Sequence, residues 1–166
     1  LSGSASLRAA ACRSRGAAAA LLVSGRSAAE VSGSDLASDP GPCASLSGGS
    51  LSVTSSALSS SFDSVYASGD SSLFLGGCSV ASSEGAALNL SLREAALRSV
   101  SLEGRGGMKV SGPVRLAGEG VRISASDYAI DAAGSRLNLT GLRAAGGVRG
   151  GVRIYGGSAS LLGAEL

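Results

Sequence analysis

The chain contains no histidine and no tryptophan, and its 166 residues include three prolines, at positions 40, 42 and 113. Without histidine, a Ser–His–Asp or Cys–His arrangement lacks its general base within this chain. Nor is there a GxSxG elbow or a phosphate-cradling GxxxxGK[ST] loop. The three cysteines, Cys12, Cys43 and Cys78, lie far apart and form no CxxC. A metal site would therefore have to rest on scattered thiolates and carboxylates, so no metal and no cofactor is expected. One disulfide with an odd thiol and three buried free thiols both fit the spacing. Aromatic residues make up 3% of the chain, two Phe and three Tyr. That scarcity weighs against sugar sites and base-stacking grooves, both of which use exposed rings.

Charge is nearly balanced, with 14 basic and 12 acidic residues, and all the basic ones except Lys109 are arginine. No basic stripe marks a nucleic-acid partner. No run approaches the roughly 20 apolar residues that span a bilayer, and Ala17 to Val23 is too short. A disordered chain would carry more proline and charge and fewer branched aliphatics. Here 44% of the residues are apolar, drawn mostly from Leu, Val, Ile and Ala. Such small, uniform side chains suit thin regular layers.

The text changes near residue 45. Residues 1–45 hold AAACRSRGAAAALLV, with little alternation, and the turn-rich SGSDLASDPGPC. They read as an irregular or short-helical cap. Their Arg8, Arg13, Arg15 and Arg26, set among Ser and Ala with no acid before Glu30, also match an organelle transit peptide. The Ala-rich start of a domain is the other reading.

Residues 46–166 alternate with period two. Leu51/Val53, Leu73/Leu75, Leu88/Leu90/Leu92, Val100/Leu102, Met108/Val110, Val114/Leu116, Val121/Ile123, Tyr128/Ile130 and Leu137/Leu139 each place two side chains on one face of a strand. Gly, Ser or Asp bounds every string, and hairpin turns of the NG or DG kind are missing. Three strand-to-strand steps make a coil of about 22 residues, the repeat of a parallel β-solenoid. The interval links Val53 to Leu75, Leu88 to Val110, Val100 to Arg122 and, within one residue, Leu116 to Leu139. The expected fold is all-β, a parallel β-helix; a β-sandwich or jelly roll is the alternative.

Few residues invite chemistry. Gly104-Arg105-Gly106-Gly107 opens like GxGxxG but meets Lys109 at the last position, and reads as a turn between strands. Asp127 and Asp131 would stand roughly 13 Å apart on one strand face, beyond the spacing of a glycosidase pair. Stacked coils would have to bring Glu103 or Glu119 to Asp127 to make one. Arg143, Arg149 and Arg153 read as a solvated edge beside a last strand holding Val148, Val152 and Ile154. Both asparagines, Asn89 and Asn138, lie in N-glycosylation acceptors, NLS and NLT. Outward strand positions or an internal asparagine stack account for them equally well.

The stretch RSVSLEGRGGMKVSGPVRLAGEGVRISASDYAIDAAGSRLNLTG looks like the repeat texture of parallel β-helix proteins found on cell surfaces, of the adhesin type. Its SVSLEG, GVRISA and SRLNLTG strings are similar to sarcoglycan ectodomains, and bacterial lipopolysaccharide-transport jelly rolls share the alternation. The resemblance implies a glycosylated, secreted or surface-exposed structural protein and carries over no functional residue. The expected function is structural or adhesive, without catalysis, through contacts with other proteins or further repeats of the same chain. A carbohydrate-binding or carbohydrate-cleaving β-helix and a lipid-carrying jelly roll are the alternatives, with glycan or lipid as partner.

Overall fold

Alternating small aliphatic residues bounded by glycine give a chain that coils on itself. The computed structural model describes residues 2–166 and contains strands and turns but no helix. In chain order the strands are β1 Ser6–Ala10, β2 Arg13–Gly16, β3 Leu21–Ser24, β4 Ala28–Ser32, β5 Asp35–Ser38 and β6 Ala44–Thr54. There follow β7 Ala57–Ser60, β8 Val65–Gly76, β9 Ser79–Ser82, β10 Ala86–Arg98, β11 Ser101–Gly104, β12 Gly106–Ser111 and β13 Arg115–Glu119. The last are β14 Arg122–Ala125, β15 Tyr128–Ala133, β16 Arg136–Thr140, β17 Arg143–Ala145, β18 Gly150–Tyr155 and β19 Ser158–Leu162.

All strand pairings in the two sheets are parallel. This excludes the sandwich and the jelly roll and defines a β-solenoid with three faces per coil. The first face runs through β3, the first halves of β6, β8 and β10, and then β12, β15 and β18. The second runs through β1, β4, the second halves of β6, β8 and β10, and then β13, β16 and β19. β2, β5, β7, β9, β11, β14 and β17 form the third.

Inside, like residues stack coil on coil. On the first face the column is Val23, Leu46, Ala67, Leu90, Val110, Ala132 and Ile154. On the second it is Ala9, Val31, Val53, Leu75, Leu97, Gly118, Leu139 and Leu161. On the third, Leu36, Leu58, Val80, Leu102 and Ile123 lie in register. Columns from three faces meet along one narrow axis, which is why small aliphatics suffice and bulky aromatics have no place. Gly118 illustrates the fit: a Cβ there would stand 2.5 Å from Leu139 Cδ2 and 3.1 Å from Val121 Cγ2.

The corner between the second and third faces repeats one left-handed residue per coil. Ala11, Gly33, Ser55, Gly77, Ser99, Gly120, Gly141 and Gly163 have φ of 50, 55, 49, 61, 52, 62, 63 and 60°. Through Gly141 each N–H donates to a carbonyl of the next coil, as from Ser55 to Gly76 and from Gly77 to Arg98, both at 2.8 Å. One residue further on, buried serines carry the same ladder. Ser56 Oγ accepts from Ser34 N at 3.0 Å and donates to Thr54 O at 2.7 Å, leaving no orphaned hydroxyl.

Several expectations need correcting. Residues 6–38, which read as an irregular or short-helical cap, form β1–β5 in register with the later coils. Their inward positions are filled by Ala, Ser and Cys as much as by Leu or Val, so the alternation was faint. The coil is also not uniform: Leu88 pairs with Met108 rather than Val110, and Leu116 with Leu137 rather than Leu139. Tyr128, expected inside, is only half-buried, and Ala129 and Ile130 are buried instead. Val148 belongs to no strand and stands 98% exposed, while Val152 and Ile154 lie in β18 and β19 follows them.

Candidate interaction face

With the inward positions fixed by the core, the outward ones are read off the same registers. The second face carries three outward columns. The first holds Ala28, Ser50, Ser72, Glu94, Arg115, Arg136 and Ser158. The central column holds Arg8, Glu30, Ser52, Phe74, Ala96, Ala117, Asn138 and Ser160. In the third, Ser32, Thr54, Gly76, Arg98, Glu119, Thr140 and Leu162 follow one another. Small side chains in the central column leave a shallow trough along the solenoid, with a cavity volume of about 660 Å³ between the first two columns. Phe74 is the aromatic residue in it. Its ring leans toward Gly76, where a Cβ would lie 3.0 Å from ring atom Cε1. Longer charged side chains, Glu94, Arg98, Arg115 and Glu119, form the rims.

The ion pairs run mostly between coils. Arg8 Nε lies 2.9 Å from Glu30 Oε2, and Arg98 Nε 3.5 Å from Glu119 Oε2. These side chains are more than half exposed, so each pair contributes little to stability.

The first face presents a smaller polar cluster. Arg153 Nε and Nη2 donate to the two Asp131 oxygens at 2.9 and 2.6 Å. The same guanidinium lies 4.0 Å above the Tyr128 ring centroid and 5.2 Å from that of Tyr155. The forked hydrogen bonds to Arg153 hold the Asp131 carboxyl below its ordinary value, against the opposing effect of burial. Next to it, Asn89 Nδ2 donates to Asp63 Oδ2 at 2.6 Å, and Asp63 Oδ1 accepts from Ala86 N at 2.8 Å. A depression of about 300 Å³ joins Asp63, Asn89, Tyr128 and Asp131 with Glu84, Arg105, Lys109 and Asp127.

Structure separates most residues that the sequence singled out. Asp127 lies 3.6 Å from Arg149, Asp131 binds Arg153, and Glu119 faces Arg98 on another side of the coil. Glu103 points outward from the third face, opposite Ser124. Arg143 pairs with Glu165 at 3.3 Å. Among the described residues no three His, Cys, Asp or Glu side chains converge as metal ligands. The Gly104–Gly107 segment, read as a turn, is mostly strand: Gly104 ends β11, Arg105 alone forms the corner, and Gly106 and Gly107 open β12. Asn89 and Asn138 both occupy outward strand positions: Asn89 is half-buried and Asn138 exposed. All three cysteines are free thiols. Cys43 Sγ donates to Leu36 O at 3.1 Å, and burial pushes its pKa up to about 11. Cys78 is raised for the same reason. The trough itself escaped sequence reading, although the outward Ser52, Ala96 and Ala117, spaced by about two coils and one coil, carried its signal.

No family model, curated protein or solved structure matches the chain. The geometry alone therefore supplies the class, a parallel β-solenoid. Among the described residues no helix is long and apolar enough to cross a membrane.

Proposed function

We propose that the protein is a non-catalytic scaffold or adhesive element whose outer faces engage other proteins or further copies of this chain. The observation that carries this reading is the trough on the second face. It is a shallow strip in which small Ser52, Ala96 and Ala117 lie beside Phe74 and Asn138, with Glu94, Arg98, Arg115 and Glu119 on its rims, a surface suited to another flat protein surface. The carboxylates support the same reading, because most are matched to an arginine rather than set against one another as an acid–base pair. A secreted or cell-surface setting is proposed with it; Asn138 lies in the trough and Asn89 Nδ2 is held by Asp63, so the proposal assigns a glycan to neither.

The second reading, a carbohydrate-binding solenoid, is favoured by one feature, the Arg153 guanidinium held between the Tyr128 and Tyr155 rings beside Asp131. Light scattering of the purified chain, together with its binding to a panel of purified proteins, tests the scaffold. Glycan-array binding and a reducing-end assay on polysaccharides test the rival. Protein association without sugar cleavage is expected. Release of reducing ends by the purified chain overturns the scaffold reading.

A further inference from the structure

The rims of the trough carry a checkerboard of charge. On β10 the outward order is Glu94, Ala96, Arg98; on the neighbouring strand β13 it is Arg115, Ala117, Glu119, with Glu94 opposite Arg115 and Arg98 opposite Glu119. Negative and positive ends thus alternate both along the strands and between coils. Of the outward rim positions on the flanking strands, Ser50 and Thr54 on β6 and Ser72 and Gly76 on β8 are neutral, while on β16 Arg136 follows Arg115 in the first column with neutral Thr140 across from it in the third. Such a pattern is complementary to itself after a half-turn, which is the requirement for an isologous contact between identical chains.

We infer that the second face pairs with the same face of a second copy, about a two-fold axis running parallel to the solenoid. That operation keeps each coil opposite its own counterpart and exchanges the two rim columns. Glu94 then meets the second copy's Arg98, and Arg115 meets its Glu119, each pair occurring twice. The central column meets itself: Ser52, Ala96 and Ala117 allow the sheets to approach, and the two Phe74 rings meet at the middle of the strip. Glu30 faces its own copy, with Arg8 on the adjacent coil beside it at 2.9 Å to compensate the like charges.

The checkerboard is also complementary about a two-fold parallel to the strands, centred between β10 and β13. That arrangement leaves β1 and β4 with nothing opposite them and sets Phe74 against Asn138. The axis parallel to the solenoid opposes the whole face and is therefore preferred.

The area is adequate but small. Five residues at about 3.3 Å each and eight strands at about 4.8 Å give roughly 600 Å² per copy. Twice that is about 1,200 Å², at the lower edge of specific interfaces and within the weak, transient class. Electrostatic pairing at the rim then decides the partner more than it adds affinity.

This inference rests on the scaffold reading and can fail without it. The experiment is sedimentation velocity on the full chain and on Glu94→Arg, Arg98→Glu, the double swap E94R/R98E, and an equimolar mixture of the two single variants. Circular dichroism melts check that each folds, and Ala96→Arg provides a second block at the two-fold without altering an existing charge. A concentration-dependent wild-type dimer is expected, weakened more than about tenfold in each single variant and in Ala96→Arg. It should be restored in the double swap and in the mixture, where the arginine introduced at position 94 of one chain meets the glutamate introduced at position 98 of the other. About the strand-parallel axis the introduced arginine would meet Arg115 instead, so neither combination would recover. Loss of the dimer without recovery overturns the proposed arrangement. A dimer indifferent to these changes moves self-association to another face and leaves the scaffold reading standing. A wild-type chain that stays monomeric to about millimolar concentration, where even weak interfaces associate, overturns the inference and leaves only binding to other proteins.

Discussion

Replacing Ser55 and Ser99 with glycine should stabilise the solenoid, and replacing Gly77 with alanine should destabilise it. All three sit at the left-handed corner, with φ of 49, 52 and 61°. A residue with a Cβ loses about 1–2 kcal/mol in that conformation. Glycine avoids this loss but gives up about 0.5–1 kcal/mol in unfolded-state entropy. The net is about 0.5–1 kcal/mol per site in favour of glycine. Sterics do not confuse the test, because a Cβ on Gly77 would find its nearest neighbour, Ser55 Oγ, at 3.8 Å. For a chain of this size, about 1 kcal/mol moves Tm by about 2–4 °C. The S55G/S99G double variant should therefore melt several degrees higher and Gly77→Ala a few degrees lower, with urea midpoints moving in the same sense. A stabilised Gly77→Ala, or a destabilised double variant, would show that corner strain is not what these positions feel.

The interior should respond as a packed stack. Leu75 is fully buried in the middle of the second-face column, and Leu75→Ala should cost about 2–5 kcal/mol by urea unfolding; a loss well under about 1 kcal/mol would mean that neighbouring coils collapse into the gap. Gly118→Ala should destabilise by about 1–3 kcal/mol through overpacking against Leu139 and Val121, and Leu139→Ala should cost less in the Gly118→Ala background than in the wild-type chain. Cys43, raised to about 11 from an ordinary thiol value of 9.0, is a neutral thiol in the folded state. Stability from keeping it protonated is complete below about pH 9 and is lost as pH rises toward 11. Cys43→Ala should flatten that alkaline decline, and thiol reagents should modify Cys43 only on unfolding. Asp131 is shifted the other way, so its contribution is present above the ordinary value of 3.8 and disappears as pH falls through the lower folded value. The gap in stability between wild type and Arg153→Ala should accordingly narrow below about pH 4; a gap that is constant with pH would remove the Asp131–Arg153 bond as its source.

What was legible in the sequence was whatever repeats locally. Period-two strings such as Leu73–Leu75 and Leu137–Leu139 marked strands whose alternate residues are buried, and the interval from Val53 to Leu75 gave the coil, since a parallel stack requires like positions to recur at the coil length. The absence of histidine likewise removed whole classes of catalysis before any geometry was known. Three things became visible only in the folded chain. The first coils were hidden because Ser27, Ser34 and Ser38 face inward: these polar side chains break hydrophobic alternation, but backbone carbonyls of the coil satisfy them. Register was the second, because coils of unequal length set Leu88 against Met108 and Leu116 against Leu137, offsets that small changes at the corners decide. The third was the second face itself. Glu94, Arg98, Arg115 and Glu119 are ordinary exposed charges in the linear text, and only parallel stacking puts opposite signs side by side on one surface. Local periodicity is written residue by residue, whereas juxtaposition between coils depends on where each coil closes.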